Sequence, residues 1–253
     1  MSDFKVPSDP IPHRDNAADF VWHDDDVFGR IANRYDFLCD IFSLGIHRLW
    51  KRRVAWRISG ESWTTLLDGG TGTGDIILRV LRSQSSAARR VTASDISPKM
   101  LAVAKKRLGR HSSSVHLEIL DVENMPSVVS DSVDAYSISL CLKICNRRRA
   151  LHEALRVLKP GGRLIVLEAS NIPWGIVHRA YLTYMTICMP FLGWLATWGD
   201  ASAYAYLLKG IRDFPTAEGF AQELMASGFE EVEFERLSLG IVAIHLARKP
   251  CAA

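Results

Sequence analysis

A glycine-rich turn between an apolar strand and a helix constrains this 253-residue chain more than any other feature. The turn reads Leu67-Asp68-Gly69-Gly70-Thr71-Gly72-Thr73-Gly74-Asp75, and apolar residues at helical spacing follow it over 76–82. Glycine has no Cβ, so its backbone can approach a ligand where another side chain would collide. In open α/β sheets, ligands bind at the carboxyl ends of strands, where such turns stand. The turn therefore predicts a strand, a ligand-binding loop and a helix.

The same alternation of strand and helix patterns continues along the chain. Strands are predicted at 65–68, 90–95, 115–120, 133–139 and 163–168, and helices at 98–108 and 148–158. The Lys-Pro-Gly-Gly sequence at 159–162 is typical of a helix end. Two further strand-like runs, 229–236 and 240–247, are joined by a short link at 237–239, which indicates an antiparallel pair. These patterns predict an α/β, Rossmann-like fold with a mostly parallel seven-stranded sheet and a terminal antiparallel strand.

We predict a single domain over 25–253, preceded by a mobile tail at 1–24. Two short helices are expected at 27–57, where apolar residues recur at helical spacing until Ser43-Leu44-Gly45 interrupts them. An apolar helical insertion is predicted at 172–215. Its uncharged run at 181–199 reaches the lower length limit of a membrane span, but Pro190 and Gly193 interrupt that run. We interpret the insertion as a lid over an apolar pocket that touches the bilayer, with a buried helix pair or a homodimer face as the alternatives.

Charge and cysteine content exclude several classes of protein. The formal net charge is +3 and the basic residues are scattered, which argues against a nucleic-acid partner. The five cysteines form no Cys-x-x-Cys pair, so neither a disulfide framework nor a metal site is predicted. The first twenty residues are rich in aspartate and lack an apolar core, unlike a secretory signal or a transit peptide. We therefore expect a cytoplasmic protein, or one bound peripherally to the inner face of the membrane.

Acidic residues around the turn indicate which cofactor it holds. A dinucleotide fingerprint needs a third glycine three residues after Gly72, where this chain has Asp75, whose charge would repel a pyrophosphate. A cationic amino acid group tolerates such a carboxylate, which favours S-adenosylmethionine over NAD. Asp95 ends the second strand, the place from which a carboxylate accepts hydrogen bonds from both ribose hydroxyls. Asp121 and Val122, after the third strand, would flank the adenine.

Longer motifs carry a family resemblance over 27–249. They read V-F-G-R-I-A-N-R-Y-D at 27–36, L-G-I-H-R-L-W-K-R at 44–52, G-T-G-D at 72–75, R-V-L-K-P-G-G-R-L-I-V-L-E at 156–168, Y-A-Y-L at 204–207, I-R-D-F-P at 211–215 and G-I-V-A-I-H at 240–245. With these motifs the chain resembles the C-methyltransferases of ubiquinone and menaquinone biosynthesis. The resemblance implies an S-adenosylmethionine-dependent methyltransferase whose substrate is a lipophilic, polyprenylated quinone or phenol precursor.

The resemblance also implies residues of the cofactor site. Thr73, Asp95, Asp121 with Val122, and Ser139 would contact S-adenosylmethionine, and Tyr35 would close the pocket over it. Core packing is the structural alternative for Tyr35, and a strand-end cap is the alternative for Ser139. Together with the loop, the predicted cofactor set is Tyr35, Asp68, Gly70, Gly72, Thr73, Asp95, Ile96, Asp121, Val122 and Ser139.

One motif departs from the family pattern. After the fourth strand the family usually has F-G-x-R-N, where this chain reads Leu140-Cys141-Leu142-Lys143-Ile144. Lysine lacks the planar fork of a guanidinium and isoleucine offers no hydrogen bond, so the substrate or the reaction can differ.

Methylation of a ring carbon needs electron density from a phenolate, and the cation of Lys143 would favour that phenolate by charge pairing. The alternative for Lys143 is a solvated loop lysine. Tyr35, His47 and Tyr204, together with Asp36, are the further catalytic candidates, as proton acceptors or hydrogen-bond partners.

Two other functions fit the same residues. One is an enzyme of this fold that acts on another aromatic acceptor or transfers a group other than methyl. The other is a catalytically silent protein that binds the cofactor and serves as a scaffold for quinone-synthesis partners.

Overall fold

The computed structural model describes residues 32–83, 89–197 and 202–251. The tail predicted at 1–24 and residues 25–31 of the predicted N-terminal helices lie outside the described residues. Helix α1 spans Tyr35–Ser43 and helix α2 spans His47–Ser59, so two short helices lie ahead of the sheet. Helix α1 ends where Leu44 (φ 50°) and Gly45 (φ 77°) turn left-handed, and the Gly45 amide donates to the Asp40 carbonyl at 2.9 Å.

Seven strands form one sheet in the order β3-β2-β1-β4-β5-β7-β6. The strands are β1 (Thr65–Gly69), β2 (Arg90–Asp95), β3 (Val115–Ile119), β4 (Val133–Ser139), β5 (Leu158–Ala169), β6 (Glu230–Leu237) and β7 (Val242–Arg248). Strands β1 to β5 pair in parallel, whereas β7 runs antiparallel to β5 and to β6. This arrangement confirms the predicted Rossmann-like sheet with its antiparallel end.

The strand order places a crevice beside β1. The chain runs outward from β1 to β2 and β3 and then returns to β4 on the other side of β1. Loops that leave the carboxyl ends of strands on the two sides of such a reversal diverge and leave room for a ligand. The glycine-rich turn and the ends of β2 to β5 therefore face one common space.

Helices cover both faces of the sheet. After α2 they are α3 (Asp75–Ser83), α4 (Pro98–Leu108), α5 (Arg147–Val157), α6 (Gly175–Thr197), α7 (Ser202–Asp213) and α8 (Ala217–Ala226). Three begin at a polar cap: the side chains of Ser97, Asn146 and Thr216 accept hydrogen bonds from amides inside α4, α5 and α8. One apolar core packs around Tyr136 and Phe220, and a second packs around Ile58 and Ile77.

The Lys-Pro-Gly-Gly sequence at 159–162 behaves differently from the prediction. It does end helix α5, but β5 already begins at Leu158, five residues before the predicted start at 163. Leu158 pairs with Val133, and the next pair in register joins Arg163 to Ala135. The intervening residues form a bulge in which Gly161 takes φ +75° and its amide donates to the Lys249 carbonyl at 2.9 Å. Proline and glycine thus mark an irregular strand start here rather than a loop.

The apolar segment predicted at 172–215 contains α6 and α7, which pack against each other, and α6 also contacts α1. Within the described ranges, no helix combines the length and apolarity that a bilayer crossing requires. The segment is therefore a helical insertion between β5 and α8, as predicted.

Candidate active site

A cavity of about 380 Å³ lies at the carboxyl ends of the parallel strands, within the size range of small-molecule sites. Its floor is the glycine loop and the ends of β2, β4 and β5. Its roof includes Tyr35 and Phe42 of α1, Tyr181 and Met185 of α6, and Ile211 of α7. The insertion therefore roofs a pocket, which is the first of the three interpretations of its sequence.

The cavity has two sides. The cofactor side consists of the glycine loop with Asp95, Asp121 and Ser139. The acceptor side consists of α1, α2, α6, α7 and the turn at 140–145.

The glycine loop exposes bare backbone to this cavity. Gly70 and Gly72 have φ values of +64° and +57°, and both line the cavity. A Cβ on Gly70 would lie 2.7 Å from the Cys141 sulfur, whereas a Cβ on Gly72 would meet no atom within 4 Å. No neighbouring protein atom therefore requires glycine at position 72. Its positive φ and its open position at the cavity wall fit a ligand that lies directly against the backbone.

Asp95 shapes that loop and also faces the cavity. Its two carboxylate oxygens accept the amides of Gly72 at 2.8 Å and Ser97 at 2.9 Å. Asp95 also lines the cavity, at the end of β2. The structure thus brings Asp95 to the place that the sequence predicted for it.

The predicted adenine-side residues also meet at the cavity. Ile96, Asp121 and Val122 line it, and the Asp121 carboxylate accepts the Glu123 amide at 2.9 Å. Ser139, at the end of β4, has a buried hydroxyl that finds no hydrogen-bond partner among the described residues. An unpaired buried hydroxyl is costly unless a ligand satisfies it, so Ser139 fits a bound cofactor better than a strand-end cap.

Two residues of the predicted cofactor set do not line the cavity. The Thr73 hydroxyl donates to Asp36 at 3.0 Å and accepts from Arg107 at 2.9 Å, and Arg107 also pairs with Asp36. This network ties α1 to the glycine loop and to α4. It engages the Thr73 hydroxyl and the Asp36 carboxylate outside the cavity wall, so the predicted roles of these two residues stay predictions.

Asp68 lies behind the loop, fully buried at the end of β1. One carboxylate oxygen accepts the Ser137 hydroxyl at 2.5 Å. Burial raises the pKa of Asp68 to about 6, because desolvation disfavours its charged form. Asp68 is therefore placed to support the loop from below.

Lys143 is neither a solvated loop residue nor an isolated cation. Its side chain is 7% exposed, and its ammonium lies 3.2 Å from Glu168 Oε1 and also donates to the Leu140 carbonyl. Glu168 also accepts the amides of Lys143 at 3.1 Å and Ala169 at 2.8 Å. The cavity wall thus contains a buried, hydrogen-bonded ion pair where the family pattern has arginine and asparagine.

The remaining catalytic candidates differ in what they can do. Tyr35 lines the cavity, and the neighbouring Cys39 together with burial raises its pKa well above the usual value, so it stays a neutral phenol. His47 also lines the cavity, 2.8 Å from the Ser43 hydroxyl, and burial and Lys51 lower its pKa to about 4. It is a neutral, weak base at pH 7. The side chain of Tyr204 lies outside the described residues.

Glu168 is the residue that sequence reasoning missed. It follows the apolar run Leu164–Leu167 at the end of a buried strand, the same signal that singled out Asp95. The three cysteines Cys39, Cys141 and Cys145 also line the cavity, and nothing in their spacing indicated this.

Comparison with known proteins agrees with this geometry. The profile of the ubiE/COQ5 methyltransferase family matches residues 20–249. The ubiquinone/menaquinone biosynthesis C-methyltransferase UbiE of Brucella abortus is 37% identical over 226 residues, 87% of this chain and 82% of that protein. The enzyme of the same name from Roseobacter denitrificans is 36% identical over 221 residues, 87% of each chain. Among solved structures, the [4+2]-cyclase SpnF superposes with a TM-score of 0.65 at 21% identity, over 90% of this chain and 95% of its own.

Proposed function

Because the chain belongs to the ubiE/COQ5 methyltransferase family and is an S-adenosylmethionine-dependent methyltransferase, we propose that it methylates a ring carbon of a quinol or phenolic precursor in ubiquinone or menaquinone biosynthesis. The observation that carries the proposal is the continuity of the cavity. One wall is the polar cofactor side, and the space continues without interruption between apolar and aromatic side chains of α1, α6 and α7. Such a space accepts an aromatic ring with an apolar substituent.

The residues of the cofactor side would hold S-adenosylmethionine by its charge and its hydroxyls. In the proposed arrangement Asp95 accepts the ribose hydroxyls, Ile96 and Val122 flank the adenine, and Ser139 gains the partner that its hydroxyl lacks. The cofactor supplies the methyl group from its sulfonium. The protein positions the ring carbon in line with that methyl group and excludes water, which accounts for most of the catalysis that such a transfer needs.

On the acceptor side, Lys143 would meet the hydroxyl of the ring. Its ammonium can hold a developing phenolate, while Tyr35 and neutral His47 can position the ring by hydrogen bonds. The exchange of arginine and asparagine for Lys143 and Ile144 removes a planar donor pair and favours an acceptor ring with a different substituent pattern.

The rim of the cavity supports peripheral contact with the inner face of the membrane. Leu44, Ile46 and Tyr184 line the cavity and are also exposed to solvent, Leu44 by 80%. We propose that the apolar tail of the acceptor leaves the cavity across this rim, while the protein stays cytoplasmic and touches the bilayer there. The homodimer stays a prediction, which light scattering would check.

Incubation with methyl-labelled S-adenosylmethionine and a membrane lipid extract tests the reaction. The expected product is a quinone or quinol that is heavier by one labelled methyl group. Label in a non-quinone aromatic compound would assign a different acceptor, and absence of turnover with retained cofactor binding would favour the silent scaffold.

Vesicle flotation tests whether the rim binds membranes. The wild type is compared with Leu44→Asn, because asparagine tolerates the left-handed backbone of this position. We expect the variant to float less while its cofactor affinity is unchanged.

A further inference from the structure

Burial of the Lys143–Glu168 ion pair costs desolvation free energy. Both side chains are almost inaccessible, at 7% and 1% exposure. Ion pairs buried this deeply are often no more stabilising than apolar residues of the same volume, since desolvation offsets the attraction. Stability alone therefore does not explain a carboxylate at this position.

The pair reaches the cavity from one side only. Lys143 lines the cavity, whereas Glu168 stands behind it at the end of β5, held by two backbone amides and by the ammonium. A ring hydroxyl that contacts Lys143 would thus be separated from Glu168 by a single ammonium group. This geometry is a short proton path from the cavity into the wall.

Several other ionisable groups of the described cavity wall are poorer proton acceptors for the ring. Asp95 and Asp121 belong to the cofactor side, where S-adenosylmethionine would contact them in the proposed arrangement. Burial lowers the pKa of His47 to about 4, so its imidazole is a weak base. Neighbouring thiols and burial raise the pKa of Tyr35 and of the Cys145 thiol, so both stay protonated.

We propose that Glu168 accepts the hydroxyl proton of the acceptor ring through the ammonium of Lys143, an inference that rests on the proposed function. Lys143 passes one of its protons to Glu168 and takes the hydroxyl proton in its place. The ammonium then pairs with the ring oxygen, so the charge of the cavity wall changes from a lysine–glutamate pair to a lysine–phenolate pair. Transfer of the proton therefore creates no uncompensated charge in an apolar space.

The atoms and electrons of the step balance. The ring carbon forms its bond to the methyl group, the methyl–sulfur bond breaks with its electron pair left on sulfur, and the hydroxyl proton goes to Glu168. The ammonium of Lys143 lowers the pKa of the ring hydroxyl by pairing with the phenolate, so Glu168 takes the proton before the new bond forms, and the phenolate supplies electron density to the attacked carbon. The proton on the methylated carbon then leaves to solvent, and Glu168 returns its proton to the ring oxygen.

A series of phenols with increasing ring fluorination tests this role. Fluorine lowers the phenol pKa from about 10 to below the assay pH, so the later members of the series bind without a hydroxyl proton. We expect Glu168→Gln to lower kcat on the unfluorinated phenol by about 100-fold or more. On ionised phenols the same variant should fall short of the wild type by less than about 3-fold, because no proton remains to be accepted.

The matched control is Glu223→Gln, which neutralises the acid of the Arg147–Glu223 pair away from the cavity. It should match the wild type on every phenol. An equal defect of Glu168→Gln across the series, or no defect, would overturn the proposal, since a merely structural glutamate does not respond to phenol acidity. If the unpaired lysine keeps Glu168→Gln from folding, Glu168→Asp retains the charge at a greater distance, and its smaller defect should shrink along the series in the same way. Failure of the proposed function is distinct, because the wild type would then label neither the lipid extract nor any of the phenols.

Discussion

On the cofactor side of the cavity, each polar group stands at the carboxyl end of a strand or in the loop that follows, whereas the acceptor side consists mostly of helices outside the sheet, together with the turn at 140–145. Asp95 and Ser139 end β2 and β4, and Gly72 belongs to the turn after β1. Hydrogen bonds between paired strands hold the backbone at such positions. The acceptor side depends on how α1, α6 and α7 pack, which side-chain volume decides.

This contrast indicates that the acceptor site can change its residues without a change in the cofactor site. Asp95 ends a paired strand and accepts two amides, so the cofactor side is tied to the sheet. The acceptor side can take Lys143 and Ile144 in place of another pair without altering β4, because those residues lie in a turn covered by the insertion. Four predictions test this division.

The largest expected effect is loss of cofactor affinity in Asp95→Asn. The amide keeps one acceptor oxygen but turns a donor toward an amide of the loop, and it loses the charge-assisted bonds to the ribose. We expect S-adenosylmethionine to bind at least about 100-fold more weakly by calorimetry. The control is Asp134→Asn at the opposite end of the sheet, where a carboxylate likewise accepts two amides, those of Thr64 and Thr65. That variant should lose stability but keep its cofactor affinity. Equal affinity in Asp95→Asn and the wild type would contradict this placement of the cofactor.

Gly72→Ala should weaken cofactor binding by about 30-fold. It should lose no more stability than the strain of an alanine at positive φ accounts for. The control is Gly109→Ala, since both glycines have positive φ, at +57° and +51°, and neither has an atom within 4 Å of the new Cβ. Gly109 combines its φ with a ψ of −118°, outside the left-handed helical region, so Gly109→Ala should lose at least as much stability as Gly72→Ala and still keep its cofactor affinity. Only Gly72→Ala fills space that the ligand needs. If both variants bind the cofactor alike, the open face of Gly72 is not the ligand surface.

The cofactor side was the more predictable half from sequence. The glycine loop, the acid at the end of β2 and the pair at 121–122 follow from the alternation of strands and helices, which local patterns reveal. Even there the hydrogen bonds of the Thr73 hydroxyl could not be predicted, because its partners Asp36 and Arg107 come from distant parts of the chain.

The acceptor side was predictable only in outline. Apolar composition indicated a lid, but not which of its residues reach the cavity. The pairing of Lys143 with Glu168 joins residues 25 positions apart through the adjacency of β4 and β5. A sequence pattern gives no signal for such a pairing until the strand order is known, which is why a solvated lysine remained a fair alternative.

Gly210→Ala tests whether close packing of α7 on the turn that contains Lys143 and Ile144 shapes the acceptor site. A Cβ on Gly210 would lie 2.9 Å from the Lys143 carbonyl oxygen, so α7 must shift away from the turn. Overpacking of this kind costs about 1 to 3 kcal/mol, and we expect the KM of the acceptor to rise about 10-fold. Cofactor affinity should stay within about 2-fold of the wild type, because α7 packs on α6 and on the turn at 142–144, which belong to the acceptor side. Lys209→Ala, one position earlier and exposed, is the control and should change neither value. A parallel loss of cofactor affinity would show that the two sides are coupled.

The smallest expected effect concerns the free energy of unfolding. A fall in pH should change the contributions of Asp68, on the cofactor side, and His47, on the acceptor side, in opposite directions. Asp68 has a native pKa of about 6 against 3.8 unfolded, so between these values the native state binds more protons and gains stability as pH falls. His47 has a native pKa of about 4 against 6.5 unfolded, so the unfolded state binds more protons and stability is lost as pH falls. Urea unfolding at pH 7 and pH 5.5 measures both contributions.

Relative to the wild type over that interval, Asp68→Asn should lose about 1 kcal/mol more of its unfolding free energy, and His47→Gln about 1 kcal/mol less. His245→Gln is the control for the histidine, because burial lowers its pKa to about 4 as well, while it lies on β7 outside the cavity wall. It should reproduce the stability change of His47→Gln and leave the KM of the acceptor unaltered. Shifts of the same sign in Asp68→Asn and His47→Gln would mean that burial does not govern the two groups in the way their surroundings indicate.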